Sequence, residues 1–526
     1  MTRGFVLICL LILTAGVCRA QDPDMGTEAQ REAGKVIYEQ KCAQCHGDNG
    51  DGNGVAAAFF RPAPRDLTAA TYKIRTTESG ALPTDDDLKA VIRNGMPYTG
   101  MPAWPGLSQD ELSTVVYYIK TFVEDFADPE ATGPVIKIPR APKFSEASAQ
   151  RGQELYEENK CADCHGTLGR GYGKSSATLK DDWDQPISPA DLTKRWTFRG
   201  GSTREDIYRT FTTGLNGTPM PSYADLIETE DRWHLVDYVY SFSRDEPEYS
   251  TVVVASGIET EIDLDQGETL FEDAPPAFFP VVGQVIEPGR NFYPSANAVE
   301  VRAVYNATEI AIMLVWHDMT GETSGTNGPS MPVPRFDPDA EQEAGAVYSD
   351  AVAIQTPSKN LPGSVKPYFL FGDTKNAADI WFADLAKDQG ELFVGRGSQN
   401  IEGGQETIPV KSTYKDGAWN VIFKRSRFPA DGLSFDEGSF VPVAFAIWDG
   451  FAGERGNKRG VTSWYHLYLQ PLREDSKAIP VAGYGILALL VELVVIQVVR
   501  KRNGASPRRH GETEVAVRVN DKGGLS

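Results

Sequence analysis

The chain has 526 residues, of which 41% are hydrophobic and 24% are charged, proportions that are ordinary for globular protein and sufficient for several separate cores. Its formal net charge of −21 argues against a nucleic-acid-binding protein, because phosphate repels an acidic surface. The same charge favours docking to a basic protein partner, although acidity also serves solubility.

The amino terminus predicts a secretory signal peptide over residues 1–20. A basic residue is followed by the apolar run Phe5–Val17, and Ala20 precedes the expected cleavage point. A lipoprotein signal with Cys18 as the lipidated residue is the alternative, which the bulky Val17 disfavours. Export would place the following domains in the periplasm.

The first half of the chain contains two copies of the pattern Cys-x-x-Cys-His, formed by Cys42–Cys45–His46 and by Cys161–Cys164–His165. Two thiols at this spacing can each add to one vinyl group of a haem, and the adjacent histidine can ligate its iron. A zinc half-site or a redox dithiol would account for one copy, but the repetition favours haem attachment. The sequence therefore predicts two covalently bound haem c groups, with His46 and His165 as iron ligands.

The two patterns lie within an internal repeat. Each copy begins with a predicted helix, over 28–41 and 148–160, and contains an Asp-Leu-Thr sequence after the second cysteine. Each copy ends with another predicted helix, over 109–122 and 230–242. Repetition on this scale predicts two similar helical modules.

A Met-Pro pair occupies the same place in both copies, at Met101 and Met220. A thioether on the far side of the iron raises the reduction potential of a histidine-ligated haem, so both methionines are predicted as axial ligands. Met96 competes with Met101 for this role, but it lies five residues too early to match Met220. Packing in a core is the alternative for any methionine.

Residues 27–125 and 146–245 resemble class I cytochrome c domains. The residues that match that family are Cys42, Cys45, His46 and Met101 in the first domain and Cys161, Cys164, His165 and Met220 in the second. A proline-rich linker over 126–145 joins the two domains. The resemblance implies two all-α domains that carry electrons and do no substrate chemistry, since both axial positions of each iron are filled.

After about residue 250 the sequence changes to short stretches of β-branched and aromatic residues separated by Gly, Pro and Asp loops. This sequence pattern predicts an all-β sandwich or barrel over 250–472. The predicted strands lie at 251–255, 298–305, 310–316, 352–355, 419–424, 440–448 and 464–469.

Several stretches of this region match a known family, and they are Trp316–Asp318, Tyr348–Gln355, Pro367–Asp373 and Ile447–Gly450 through Trp464. On these stretches the region resembles the haem-binding gamma subunit of ethylbenzene dehydrogenase and of related molybdenum enzymes of the DMSO reductase family, among them a nitrite oxidoreductase-like gamma subunit. It implies a β-sandwich that holds a non-covalent haem b between a methionine and a lysine.

The residues expected to ligate that haem b are altered in this chain. Phe371 occupies the place of the methionine, and Lys458 or Arg459 lies near the place of the lysine. Phenylalanine cannot ligate iron and arginine stays protonated, which leaves Lys458 as the candidate ligand. The substitutes for the methionine are Met319, Met331, His317 and His466. Retention and loss of the haem b both stay open at this point.

Near the carboxyl terminus an apolar run over 479–499 is long enough to cross a bilayer as a helix. Arg500, Lys501 and Arg502 follow it directly, and basic residues favour the cytoplasmic side of a membrane. The sequence predicts a single-pass inner-membrane protein with periplasmic haem domains and a cytoplasmic tail over 500–526.

Together these features predict a membrane-anchored dihaem cytochrome that transfers electrons between a periplasmic oxidoreductase and the respiratory chain. The resemblance implies molybdopterin and iron–sulfur subunits as partners, with soluble redox proteins as the other class. The chain is predicted not to be an enzyme. The alternatives are a haem enzyme, which would need an open iron site, and a redox sensor whose β-sandwich binds a ligand.

Overall fold

The computed structural model describes residues 23–60, 62–333, 346–430, 432–472 and 478–503. The predicted signal peptide and residues 504–526 of the predicted tail lie outside this range. The chain divides into two compact units at Gln470. The first unit contains two helical modules and a β domain.

The first module consists of four α-helices and two single turns of 3₁₀-helix. The α-helices are α1 (Glu28–Lys41), α2 (Ala43–His46), α3 (Asp85–Asn94) and α4 (Gln109–Lys120), and the 3₁₀ turns are Ala57–Phe59 and Glu124–Ala127. Capping boxes at Thr27, Thr84 and Ser108 begin the three long helices by satisfying backbone N–H groups that a helix start leaves unpaired. Their apolar faces enclose one core around Tyr38 and Val116.

The second module repeats this arrangement. Its α-helices are α5 (Glu146–Glu158), α6 (Ala162–His165), α7 (Arg204–Thr213) and α8 (Thr229–Phe242), and its 3₁₀ turns are Ser176–Thr178 and Arg195–Thr197. The predicted helix at 28–41 has the observed bounds, and the other three predicted helices differ from the observed ones by one or two residues at an end. The all-α fold predicted for the amino-terminal half is therefore confirmed.

Glycine allows the first and last helices of each module to cross in close contact. A Cβ atom on Gly34 would lie 1.9 Å from the Thr114 carbonyl oxygen of α4. A Cβ atom on Gly152 would lie 1.9 Å from the His234 carbonyl oxygen of α8. Any side chain at these two positions would therefore force the helices apart.

We expect Gly152→Ala to lower the free energy of unfolding of the second module by about 1–3 kcal/mol, because one added methyl group overpacks the crossing. Thermal unfolding followed by helical circular dichroism measures the loss. Gly106→Ala is the matched control, since a Cβ there meets nothing within 4 Å. Equal melting temperatures for the two variants would contradict the crossing argument.

The β domain follows the second module. Among the described residues its strands are β1 (Val252–Gly257), β2 (Ala277–Pro280), β3 (Val282–Gly283), β4 (Ala298–Tyr305), β5 (Glu309–His317), β6 (Ala351–Pro357), β7 (Ala378–Asp384), β8 (Gln389–Gly395), β9 (Ile401–Lys415), β10 (Ala418–Ser426), β11 (Phe440–Trp448), β12 (Gly460–Val461) and β13 (Tyr465–Leu469). A 3₁₀ segment, Leu264–Phe271, lies between β1 and β2.

Two of these strands join the two faces of the domain. The strand order is β13-β1-β4-β5-β10-β9-β8-β7-β6-β11-β12-β3, with β2 beside β4. The end of β9 pairs with β10 and its beginning pairs with β8, while β11 pairs first with β13 and then with β6. The resulting sandwich encloses a large apolar core that includes Trp316, Trp381 and Trp419. The predicted all-β fold of this region is confirmed.

Every predicted strand is present, with bounds that differ by at most two residues. The sequence did not reveal the short strands β2, β3 and β12, nor the longer strands β7, β8 and β9. All seven residues of β7 are buried, so this strand lacks the alternation of apolar and polar residues that marks a half-buried strand. Glycine interrupts β8 and β9.

The second unit contains helix α9 (Ala478–Asn503). Its side chains are described from Leu487 to Arg502. Among the residues whose side chains are described, no helix is long and apolar enough to cross a bilayer.

Candidate functional site

In the first module a single helical turn presents the Cys-x-x-Cys-His pattern. The backbone N–H of His46 donates to the Cys42 carbonyl at 2.9 Å, so the turn is closed. The His46 imidazole Nδ1 lies 2.9 Å from the carbonyl oxygen of Arg65. A carbonyl can only accept, so Nδ1 carries the proton and Nε2 keeps a lone pair for a metal. Burial lowers the pKa of His46, which favours the neutral ligand form.

The second module reproduces this geometry. His165 Nδ1 lies 2.9 Å from the carbonyl oxygen of Ala190, and burial again lowers the pKa of the imidazole. A buried tyrosine holds the residue after each histidine: the Tyr38 hydroxyl donates to Gly47 and the Tyr156 hydroxyl donates to Gly166, both at 2.7 Å. The two turns are therefore built to one plan.

The four cysteines of these turns are unpaired and half-buried. Burial raises the pKa of Cys42 and of Cys161 to about 11. Redox dithiols need the opposite, a site that lowers the thiol pKa. The environment therefore disfavours a redox dithiol and is compatible with covalent attachment of a haem.

The turns that carry Met101 and Met220 also have the same pattern of hydrogen bonds. The carbonyl of Met101 accepts from the N–H of Met96, and the carbonyl of Met220 accepts from the N–H of Leu215, both at 3.1 Å. A threonine hydroxyl then accepts from the N–H of each methionine, at 3.2 Å in the first module and 3.3 Å in the second. Met96 thus corresponds to Leu215, so only Met101 and Met220 recur as thioethers at equivalent positions.

Each module consequently holds a donor set that fits a haem: two thiols, one neutral imidazole with a free lone pair and one thioether. In the first module Cys42 and Met101 pack against the same apolar core, as expected for residues on opposite sides of one cofactor pocket. The assignment of these residues as haem ligands stays a prediction. What the structure adds is that both sets share one geometry.

The place predicted for a haem b in the β domain is filled by side chains. The guanidinium carbon of Arg459 lies 3.9 Å from the centroid of the Phe371 ring, and that ring stacks on Trp448 at 6.3 Å. Arg459 and Phe371 are 0% and 2% exposed. Because the side chain at the methionine position touches Arg459, the neighbour of the candidate ligand Lys458, a porphyrin does not fit between Phe371 and Arg459.

The other candidate ligands of a haem b have different partners. Lys458 Nζ donates to the Ala452 carbonyl at 2.7 Å. His317, at the end of β5, lies with Nδ1 at 2.6 Å from Asp191 Oδ2 of the second module. His317 is therefore a contact between domains, a role that sequence reasoning missed.

The β domain also contains buried carboxyl groups. One oxygen from each of Asp318, Asp350 and Asp449 lies within 4.8 Å of the others, a spacing that a single cation could bridge. Burial and mutual repulsion raise the pKa of Asp350 to about 8, and burial raises the pKa of Asp318 and of Asp449. Burial therefore favours the protonated form of these three groups when no cation is bound. The Trp419 indole N–H and the backbone N–H of Gly450 donate to Asp350.

Several contacts join the modules to each other and to the β domain. Arg65 of the first module stacks on Trp183 of the second, with 4.3 Å from guanidinium carbon to ring centroid. Arg170 of the second module donates to the Asp416 carbonyl in the β9–β10 turn at 3.1 Å. Phe59 packs edge-on against Phe292 of the β domain. No local sequence pattern indicates these pairs, because they depend on how the domains meet.

Comparison with known proteins gives the helical modules a family. Residues 29–119 and 147–239 both match the family described as cytochrome C oxidase, cbb3-type, subunit III. A protein of Haloferax mediterranei named as a respiratory nitrate reductase haem subunit is 26% identical over 216 residues, which are 40% of this chain and 70% of the relative. Cytochrome c55X of Paracoccus denitrificans is 33% identical over 120 residues, 22% of this chain and 97% of the relative.

Among solved structures, a chain of the Kuenenia stuttgartiensis reducing HAO-like protein complex is 40% identical. The match covers 43% of the present chain and 100% of that chain, with a TM-score of 0.40.

Proposed function

The amino-terminal modules of this chain belong to the c-type cytochromes, and on that premise we propose that the protein is a membrane-anchored dihaem subunit that passes electrons between an oxidoreductase and the respiratory chain. As a cytochrome c electron-transfer subunit it is not itself catalytic. Its relatives include a nitrate reductase haem subunit.

The observation that carries the proposal is the repetition of one complete ligand geometry. A haem c held by His46 and Met101, or by His165 and Met220, would supply one-electron chemistry at an iron with no open position. The chain's own residues orient each imidazole through a backbone carbonyl and hold each thioether in a hydrogen-bonded turn. Rigid ligands on both sides favour electron transfer over substrate binding.

The partner is proposed to be a molybdopterin-containing oxidoreductase. Two features support this choice: the Haloferax mediterranei relative is named as a subunit of nitrate reductase, and the sequence over 250–472 is predicted to resemble gamma subunits of molybdenum enzymes. The net charge of −21 would speed encounter with a basic docking surface and make the rate fall as salt rises.

Anchoring is proposed to come from α9. The aliphatic side chains over Leu487–Val499 are exposed, and Arg500, Lys501 and Arg502 follow them. An exposed apolar surface of this kind favours a lipid environment, and the basic run favours a cytoplasmic carboxyl terminus. With the predicted signal peptide, this orientation directs the haem modules to the periplasm.

The β domain is proposed to contain no haem b, because the contact between Phe371 and Arg459 fills the required space. We therefore expect two covalent haems per chain and no haem that acid acetone extracts from the purified protein. Pyridine haemochrome spectra before and after extraction measure both quantities. One extractable haem per chain would show that the domain binds a third cofactor.

Isolation of the native complex tests the electron-transfer proposal. Mild solubilisation of membranes and affinity capture should recover a subunit with bound molybdopterin, and reduced protein should form no carbon monoxide complex. Recovery of a dihaem chain that binds carbon monoxide would support a haem enzyme instead. Release of the protein by a salt wash without detergent would overturn the anchoring proposal.

A further inference from the structure

One residue differs between the repeats at the point where each histidine is held. The carbonyl that accepts from His46 belongs to Arg65, and the carbonyl that accepts from His165 belongs to Ala190. The next residues match, since Asp66 and Asp191 each accept from the N–H and hydroxyl of the threonine two positions later. Both modules therefore use a backbone carbonyl to hold the histidine. Only the first module also has a guanidinium at this position, that of Arg65.

That guanidinium reaches into the second module. It stacks on Trp183, whose loop is tied to Gly217 by a hydrogen bond from Asp182 N–H to the Gly217 carbonyl at 3.4 Å. A Cβ atom on Gly217 would lie 2.8 Å from Arg65 Nη1 and 2.8 Å from the Trp183 ring. Arg65 therefore lies directly against Gly217, in the turn that reaches Met220 three residues later.

We propose that Arg65 is a positioning residue that couples the two haem sites, with its carbonyl on the histidine of one and its guanidinium on the methionine turn of the other. The inference rests on the proposed dihaem function. It places the proximal side of the first haem site next to the distal side of the second. A single residue then links the ligand sets of both electron carriers.

The positive charge of Arg65 predicts the direction in which the haem reduction potentials change when this residue is replaced. A reduced haem carries one positive charge fewer than an oxidised haem, so a nearby cation stabilises the reduced form. Arg199 lies close enough to Arg65 for the two positive charges to repel each other, and burial together with both arginines lowers the pKa of Lys73 to about 7. Loss of the Arg65 charge should consequently lower the reduction potentials of both haems, although the residue belongs to the first module.

The test is a mediated redox titration of the full-length protein with Arg65→Ala. We expect the midpoint potentials of both haem components to fall. The component that responds to Met220→Leu identifies the haem of the second module. Arg65→Lys keeps the charge and should restore most of both shifts, while Trp183→Leu should disturb the red absorption band of methionine-ligated ferric haem in the second module alone.

Arg151→Ala is the matched control, because it removes one positive charge from an exposed ion-pair cluster on α5. It should leave both potentials in place. A shift confined to the first module in Arg65→Ala, or an equal shift in the control, would overturn the coupling. Wild-type protein without two reducible covalent haems would instead refute the dihaem function itself, so the two failures are distinguishable.

Discussion

Replacement of Cys161 and Cys164 by serine is expected to leave one covalent haem per chain instead of two. Serine hydroxyls do not form thioethers with haem vinyl groups, so the second module would lose its attachment points. Haem staining of denatured protein and pyridine haemochrome quantitation measure the loss. Production must take place in a host that attaches haem c.

Two further variants control this experiment. The pair Cys42→Ser and Cys45→Ser should give the same count of one haem, from the other module. All four substitutions together should remove covalent haem completely. Retention of two covalent haems after loss of Cys161 and Cys164 would contradict the assignment of this turn.

Met101→Leu is expected to cause the second large effect, a lower reduction potential of the first haem. A thioether ligand raises the potential of a histidine-ligated haem, and leucine has no lone pair to replace it. Axial ligands set haem potentials over a range of about 0.8 V, and we expect a shift of the order of tenths of that range. A redox titration and the red absorption band of the ferric protein measure the change.

Met96→Leu is the matched control for this variant. Met96 lies in the same turn, but its counterpart in the second module is Leu215, so leucine is already compatible with this backbone. The potential and the red band should persist in the control. If Met96→Leu abolished the band and Met101→Leu preserved it, the ligand assignment within the turn would be reversed.

The second module contacts both of the other domains. The second module meets the β domain through Asp191 and His317, while it meets the first module through Trp183 and Arg65. Arg170 and Tyr172, in the loop after the second Cys-His turn, pack against the β9–β10 turn at Asp416 and Gly417. This side of the second module is therefore covered by the β domain.

The β domain shows which features the sequence could predict and which it could not. Its sandwich fold and seven of its strands were predictable from local composition. The fate of its haem b was not predictable, because Phe371 and Arg459 are far apart in sequence and their contact exists only in the folded domain. The identity of Phe371 raised the question, and the packing of its ring against Arg459 supports the proposal that the domain holds no haem b.

The sequence by itself determined the local geometry of each Cys-x-x-Cys-His turn, because the pattern lies within one helical turn and its spacing specifies that geometry. It also predicted the haem chemistry of each module, and the repeat favoured Met101 over Met96 as the ligand. Only the tertiary structure decided which residues join the modules. Asp191 and His317 are separated by 126 residues, and no local rule relates two positions so far apart. Their meeting depends on the packing of whole domains, and so does the contact that brings Arg65 to the methionine turn of its neighbour.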